Sequence, residues 1–344
     1  MKVKKILSNV LSVTKAVAPA VGTKKLYDSM FNHRFETNKL LAFSENDFPN
    51  LIKEERYEFL SGKNMLVGYI YRQKNKKGRG LFVFAHGFGG GGHHCYLDLI
   101  NSICANGFLV FAYDATANDE SEGKGIGGFT QGLLDAHNAI SFIENLDKYS
   151  KLPLYLCGHS WGAYSVSCAL GWHPNVKGLI ALSGFNNATS IFKANNDKYV
   201  GEKGIDFIRC VDSYEEILFG KVCQRTAIES FRDAKDTRIA IVHSFDDKIV
   251  PISVGLDLYK KEFENEKRFL FVRLLNKGHG TVYYTTNGKQ YYEKIEDAYN
   301  RINQREKMDD KEKAEFMLSR IDRKKYNSMV DDKLIERLIK FVSK

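Results

Sequence analysis

The sequence predicts an α/β fold with a mostly parallel central sheet flanked by helices. Three observations lead there. From Met65 onward, short apolar runs of β-type composition alternate with longer runs of helical periodicity, the pattern of strands joined by crossover helices. The chain has 344 residues, which suits one core of roughly 250 residues carrying insertions. Apolar residues make up 43% of it, enough to bury such a core.

Residues 1–60 read as an N-terminal helical extension. Met1–Lys5 is basic and Ala16-Val17-Ala18 has the small residues of a signal cleavage site. However, Ser8, Asn9, Ser12, Thr14 and Lys15 interrupt the apolar stretch that secretion requires. A helix docked on the domain is the expectation, with reversible membrane contact by residues 1–25 as the alternative. No apolar run approaches the ~20 residues of a membrane span.

The core is expected over residues 61–185 and 237–344. Leu66–Tyr71 reads as an early strand, and a basic turn containing glycine leads to Leu81–Ala85. Phe108–Tyr113, Leu154–Cys157, Leu179–Leu182, Ile239–His243 and Phe269–Leu274 continue the series. Tyr96–Ala105, Gln131–Asn145, Trp161–Gly171 and Ser253–Phe263 have helical character between them. In the terminal Asp331–Val342 stretch, Leu334, Ile335, Leu338, Ile339 and Val342 fall on one face. The alternation breaks over residues 186–236, which read as a helical cap above the carboxyl edge of the sheet, where open α/β sheets bind ligands. Tyr199, Phe207, Ile208, Tyr214, Ile217, Leu218 and Phe219 either line an apolar acyl pocket there or form the cap's own small core. A charged helical insertion is expected at about 283–325.

The net charge of +9 would suit an anionic partner, but the lysines are scattered. The cluster Lys74, Lys76, Lys77 and Arg79 reads as a solvated turn, and no nucleic-acid motif accompanies it, so no nucleic-acid partner is expected. Cys95, Cys104, Cys157, Cys168, Cys210 and Cys223 form no paired spacing, so free thiols in the cytoplasm are expected and no metal site.

The chemistry is carried by four segments. Gly158-His159-Ser160-Trp161-Gly162 matches G-x-S-x-G, a pattern that chance supplies in about a tenth of chains this long. Its context matters more: an apolar strand precedes it and a helical run follows. A nucleophile in so sharp a turn needs small flanking residues, and the helix start aims N–H groups at developing negative charge. His86-Gly87-Phe88-Gly89-Gly90-Gly91-Gly92 follows the strand Leu81–Ala85. An acyl-transfer enzyme needs two N–H donors for the oxyanion, and the backbone amides of Phe88 and Trp161 are the candidates. A phosphate-binding loop is the competing reading, but it lacks the Gly-Lys-Ser/Thr ending. Residues 239–251 read as a strand, an acidic turn and a helix start, where a carboxylate can orient a base. Asp246 and Asp247 compete for that role, and Asp247 is preferred, with Asp246 shaping the turn. Asn276-Lys277-Gly278-His279-Gly280 follows the last strand and places His279 as the base, in the chain order Ser, Asp, His.

Taken together these segments resemble the α/β-hydrolase superfamily, especially bacterial serine aminopeptidase-like and lysophospholipase-like hydrolases. Ser121-Glu122-Gly123 after the fourth strand and the acidic turn ending in Val250-Pro251 add to the likeness. It covers about Met65 to Gly280 and the terminal helix. It implies that Asp114 and Asp135 are structural. The resulting expectation is a serine hydrolase that needs no cofactor and acts on a carboxylic ester or acyl lipid. The alternatives are an aminopeptidase-like hydrolase of short peptides, or a hydrolase-fold protein that binds without turnover. Substrate-contacting residues and oligomeric state are not legible.

Overall fold

The strands of a computed structural model, which describes residues 19–199, 204–305 and 308–344, join in a single sheet. They are β1 (Leu51–Ser61), β2 (Asn64–Gln73), β3 (Leu81–Ala85), β4 (Leu109–Tyr113), β5 (Leu154–His159), β6 (Gly178–Leu182), β7 (Arg238–Ser244) and β8 (Phe269–Leu274). Their order is β1-β2-β4-β3-β5-β6-β7-β8. β2 runs antiparallel to both neighbours, and every pairing from β4 to β8 is parallel. All residues of β3, β4, β5 and β6 are buried. Strands covered on both faces need apolar residues throughout, which is why Leu81–Ala85 and Leu109–Tyr113 show no alternation.

The helices are α1 (Pro19–Phe31), α2 (Leu97–Ala105), α3 (Thr130–Glu144), α4 (Trp161–Ala169), α5 (Ser190–Tyr199), α6 (Gly204–Phe219), α7 (Ala227–Asp233), α8 (Leu256–Phe263), α9 (Thr286–Asn303), α10 (Asp310–Arg320), α11 (Arg323–Tyr326) and α12 (Asp332–Val342). On one face of the sheet a core gathers residues of α1, α3, α4, α7 and α8. On the other face α2, α9, α10, α11 and α12 do the same. In α12, Ile335, Leu338, Ile339 and Val342 are buried while Leu334 is half-buried. Each such aliphatic side chain contributes about 1.5–3 kcal/mol, so α12 is held by its stripe.

Three expectations change. Residues 1–60 are not wholly helical, because 51–60 belong to β1. Lys53 and Glu55 occupy inward-leaning positions of that strand, so its period-2 exposure at Glu54, Arg56, Glu58 and Leu60 is invisible as a polar alternation. Charges on an edge strand also discourage pairing with other chains. Residues 1–18, and with them most of the membrane-contact reading, lie outside the described residues. Secondly, the end of the 186–236 segment is core, not cap. Phe231 of α7 is fully buried, and Ser230 Oγ donates to Cys168 O at 2.6 Å. Thirdly, among the described side chains of the cap, the aromatic and aliphatic ones meet different surroundings. Tyr214 packs edge-on against Tyr27 and Ile208 against the core, while Ile217 and Leu218 are exposed. Phe219 lies beside Gly127 and Gly128. The side chains of Tyr199 and Phe207 lie outside the described residues.

Among the described residues no helix is long and apolar enough to cross a membrane.

Candidate active site

Ser160 stands between β5 and α4 with φ 56° and ψ −118°. A positive φ costs an L-residue of order 1–2 kcal/mol, so the turn must be held from outside. Ser160 N donates to Leu182 O on β6 at 2.8 Å, and Tyr164 N donates to Ser160 O at 3.0 Å. The flanking glycines are sterically compulsory. A Cβ on Gly158 would strike the Gly162–Ala163 backbone, and one on Gly162 would fall on the carbonyl of Ala85 at the end of β3. Both obstacles are backbone and cannot rotate away.

The loops after β7 and β8 meet over this turn. His279 Nε2 lies 2.8 Å from Ser160 Oγ, and His279 Nδ1 lies 2.7 Å from Asp247 Oδ2. The other Asp247 oxygen accepts from the amides of Ile249 and Val250, both at 2.9 Å. Asp247 is 6% exposed. Burial opposes its ionisation, but hydrogen bonds from His243 and His279 outweigh it and hold the carboxyl well below the usual range. Asp246 faces elsewhere. Its Oδ1 accepts from the amides of Lys277 (3.1 Å) and Gly278 (3.0 Å) and from Ser244 Oγ (2.5 Å), so it shapes the loop that carries His279.

The glycine-rich segment lies beside the serine: a Cβ on Gly87 would come 3.5 Å from Ser160 Cβ. His86 Nε2 accepts from Ala115 N at 2.9 Å, which leaves Nδ1 as the N–H that donates to Gly87 O at 2.9 Å. Since the peptide is planar and trans, fixing the Gly87 carbonyl also fixes the direction of the Phe88 N–H. Trp161 N–H occupies the first turn of α4, where helix geometry provides no acceptor. His93 does not reach the serine. It is fully buried, with its backbone N at 2.9 Å and its Nδ1 at 2.7 Å from Asp114 Oδ1. Asp135 accepts from Ser61, Thr116 and Gln131, a bracing role within the core.

Sequence reasoning missed three contributors. The first is His159, the variable residue of the serine motif. Its Nε2 lies 3.0 Å from the His279 carbonyl, which can only accept, so Nε2 carries the proton and Nδ1 accepts from Tyr96 Oη at 2.9 Å. Tyr96 Oη in turn accepts from Gly87 N at 3.1 Å. One directed chain of hydrogen bonds therefore joins the glycine loop, the serine turn and the His279 loop. Burial and the nearby His279 ring push the His159 pKa down to about 3. The second is His243, fully buried, whose Nε2 sits 2.9 Å from Val250 O and 3.2 Å from Asp247 Oδ2. The third is Glu215 of α6. Its carboxylate accepts from Tyr27 Oη (3.0 Å), Phe129 N (3.0 Å) and Thr130 Oγ1 (2.5 Å), tying α6 and α1 to the start of α3. Burial pushes this carboxyl up. A histidine between Gly158 and the motif serine was visible as a residue type; its partners, and those of His243 and Glu215, were not.

Among the described residues no group of three or more His, Cys, Asp or Glu side chains is placed to hold a metal ion.

The profile of the serine aminopeptidase family (S33) matches residues 76–199. Comparison with curated protein sequences finds no match. Among solved structures, the Pyrococcus furiosus esterase Pf2001 superposes with a TM-score of 0.54 at 15% identity, over 77% of this chain and 95% of that one. Est1E from Butyrivibrio proteoclasticus, in a structure with bound ferulic acid, gives 0.51 at 17% identity, over 77% and 98%. An acylaminoacyl peptidase from Pyrococcus horikoshii gives 0.52 at 16% identity, over 69% of this chain and 38% of that one. These likenesses identify the fold as that of the α/β hydrolases.

Proposed function

We propose that this α/β-hydrolase chain is a serine hydrolase that cleaves a carboxylic ester or acyl lipid through an acyl-enzyme. The observation that carries the reading is the pair of contacts His279 Nε2 to Ser160 Oγ at 2.8 Å and His279 Nδ1 to Asp247 Oδ2 at 2.7 Å. His279 takes the proton from Ser160 as Oγ attacks the carbonyl, and Asp247 stabilises the imidazolium that results. The amides of Phe88 and Trp161 receive the oxyanion. His279 then protonates the leaving group and later activates the water that releases the acyl group. A reducing compartment suits the six unpaired thiols.

Fluorophosphonate labelling tests the enzyme reading. Wild type is expected to label, and Ser160→Ala is not; identical behaviour of the two overturns it. The serine aminopeptidase profile and the acylaminoacyl peptidase likeness favour amide hydrolysis as a second reading. Turnover of p-nitrophenyl esters of graded chain length, set against aminoacyl anilides, separates the two. Exclusive anilide cleavage would replace the ester reading with the peptidase one.

A further inference from the structure

An oxyanion loop has to keep its amides still, and segment 87–92 is poorly equipped to do so alone. Gly89 and Gly91 have φ of 84° and 93°, and Gly90 has open space where a Cβ would stand. The core grips the ends, through Tyr96 at Gly87 and Asp114 at His93. The middle is gripped by residues 31–37, a stretch outside the family match, which begins at residue 76.

Three sets of contacts make this strap. Its backbone is paired with the turn after β4: Phe35 N donates to Ala117 O at 2.9 Å, and Asp119 N donates to Phe35 O at 3.1 Å. The Arg34 guanidinium donates to the carbonyls of Asp119 (2.5 Å), Ser121 (2.9 Å) and Gly123 (2.9 Å). The strap is then joined to the glycine loop through Thr37. Thr37 N and Oγ1 donate to the two Asp119 oxygens at 2.6 and 2.5 Å, and Gly92 N donates to Thr37 Oγ1 at 3.0 Å and Asp119 Oδ2 at 2.9 Å. A Cβ on Gly91 would fall on the Thr37 backbone, so loop and strap are in direct contact. Finally, the Phe88 ring sits among four aromatic rings. Phe31 and Phe35 of the strap lie at 5.3 and 5.1 Å between centroids, and Phe129 and Trp161 at 5.4 and 5.8 Å. Half of that box comes from the strap.

We propose that residues 31–37 are the positioning element of the oxyanion loop, with Phe35 and Thr37 as positioning residues for the hydrolytic reaction; this rests on the serine-hydrolase reading. The side chain of Phe88 is anchored by the box and its backbone amide moves with it. Losing one oxyanion donor costs about 100- to 1000-fold in kcat, and misplacement costs part of that.

The test uses the full chain with a p-nitrophenyl ester and a trifluoromethyl ketone, whose adduct with Ser160 carries the oxyanion. Phe35→Ala and Thr37→Val are each expected to lower kcat about 10- to 30-fold. Affinity for the ketone should fall in step while KM changes less than about 3-fold. Lys39→Ala, at an exposed position just beyond the strap, should match wild type. If Phe35→Ala fails to fold, Phe35→Leu and the near-isosteric Thr37→Val decide. The proposal is overturned if folded Thr37→Val keeps wild-type kcat and ketone affinity. It is equally overturned if KM alone rises, since the strap would then only touch substrate. A wild type that turns over no ester or anilide removes the serine-hydrolase reading and this proposal together, whereas a working wild type with unaffected variants removes this proposal alone.

Discussion

His159→Gln isolates the energetic consequence of placing a histidine inside the serine motif. In the native protein its pKa is pushed down to about 3, against the ordinary histidine value of 6.5. The cause is burial first and the adjacent His279 second. The unfolded chain takes up this proton near pH 6.5 while the native one resists it until about pH 3. Acid therefore favours the unfolded state across that window: the stability is present above 6.5 and is lost as pH falls. At about 1.36 kcal/mol per pH unit, the loss at pH ~4.5 is about 2–3 kcal/mol. Glutamine keeps an amide N–H for the His279 carbonyl but does not titrate. Urea unfolding of both proteins at pH ~7 and ~4.5 reads the effect. The stability advantage of wild type over the variant should shrink by about 2–3 kcal/mol between the two conditions. An advantage that stays constant within about 0.5 kcal/mol would refute a neutral, deeply buried His159.

Asp247→Asn is expected to lower kcat about 10,000-fold with a folded protein and little change in KM, because the amide favours the wrong tautomer of His279; steady-state kinetics with circular dichroism checks it. Asp246→Ala frees the amides of Lys277 and Gly278 and should cost about 10- to 100-fold in kcat. Equal losses in the two variants would contradict the division of labour between the neighbouring aspartates. Glu215→Ala strips three donors of their acceptor and should destabilise by about 2–3 kcal/mol in urea unfolding. Glu215→Gln, which keeps a carbonyl oxygen for Tyr27 and Phe129, should cost less than half as much.

How far these features were legible depends on how local their causes are. The segments around Ser160, Asp247 and His279 could be found because each follows a largely apolar strand, with turn glycines marking the bends at Ser160 and His279 and an acidic pair before Pro251 marking the third. Asp247 was separable from Asp246 by its distance to Pro251, and the two carboxylates do face different partners. β1 was missed because Lys53 and Glu55 hide its alternation. The cap boundary was set too late because the burial of α7 depends on α4, and nothing within residues 227–233 records which surface they meet. The strap was illegible for the same reason in stronger form. Thr37 and Asp119 are 82 positions apart, and neither residue type announces a partner at that range.

The clasp between Asp47 and the segment Arg323–Asn327 bears on the order in which the molecule can be completed during its synthesis. Arg323 reaches Asp47 at 2.8 Å and Ala42 O at 3.1 Å, and Tyr326 Oη donates to Leu41 O at 2.8 Å. At roughly 5–20 residues per second, the 276 positions separating Asp47 from Arg323 take roughly 14–55 s to emerge. Until then the stretch following the strap lacks this fastening, although Phe43 N already has His94 O and Glu45 has Lys53 as partners. A ribosome-bound chain thus carries Ser160 well before it carries its partner His279, 119 positions further on.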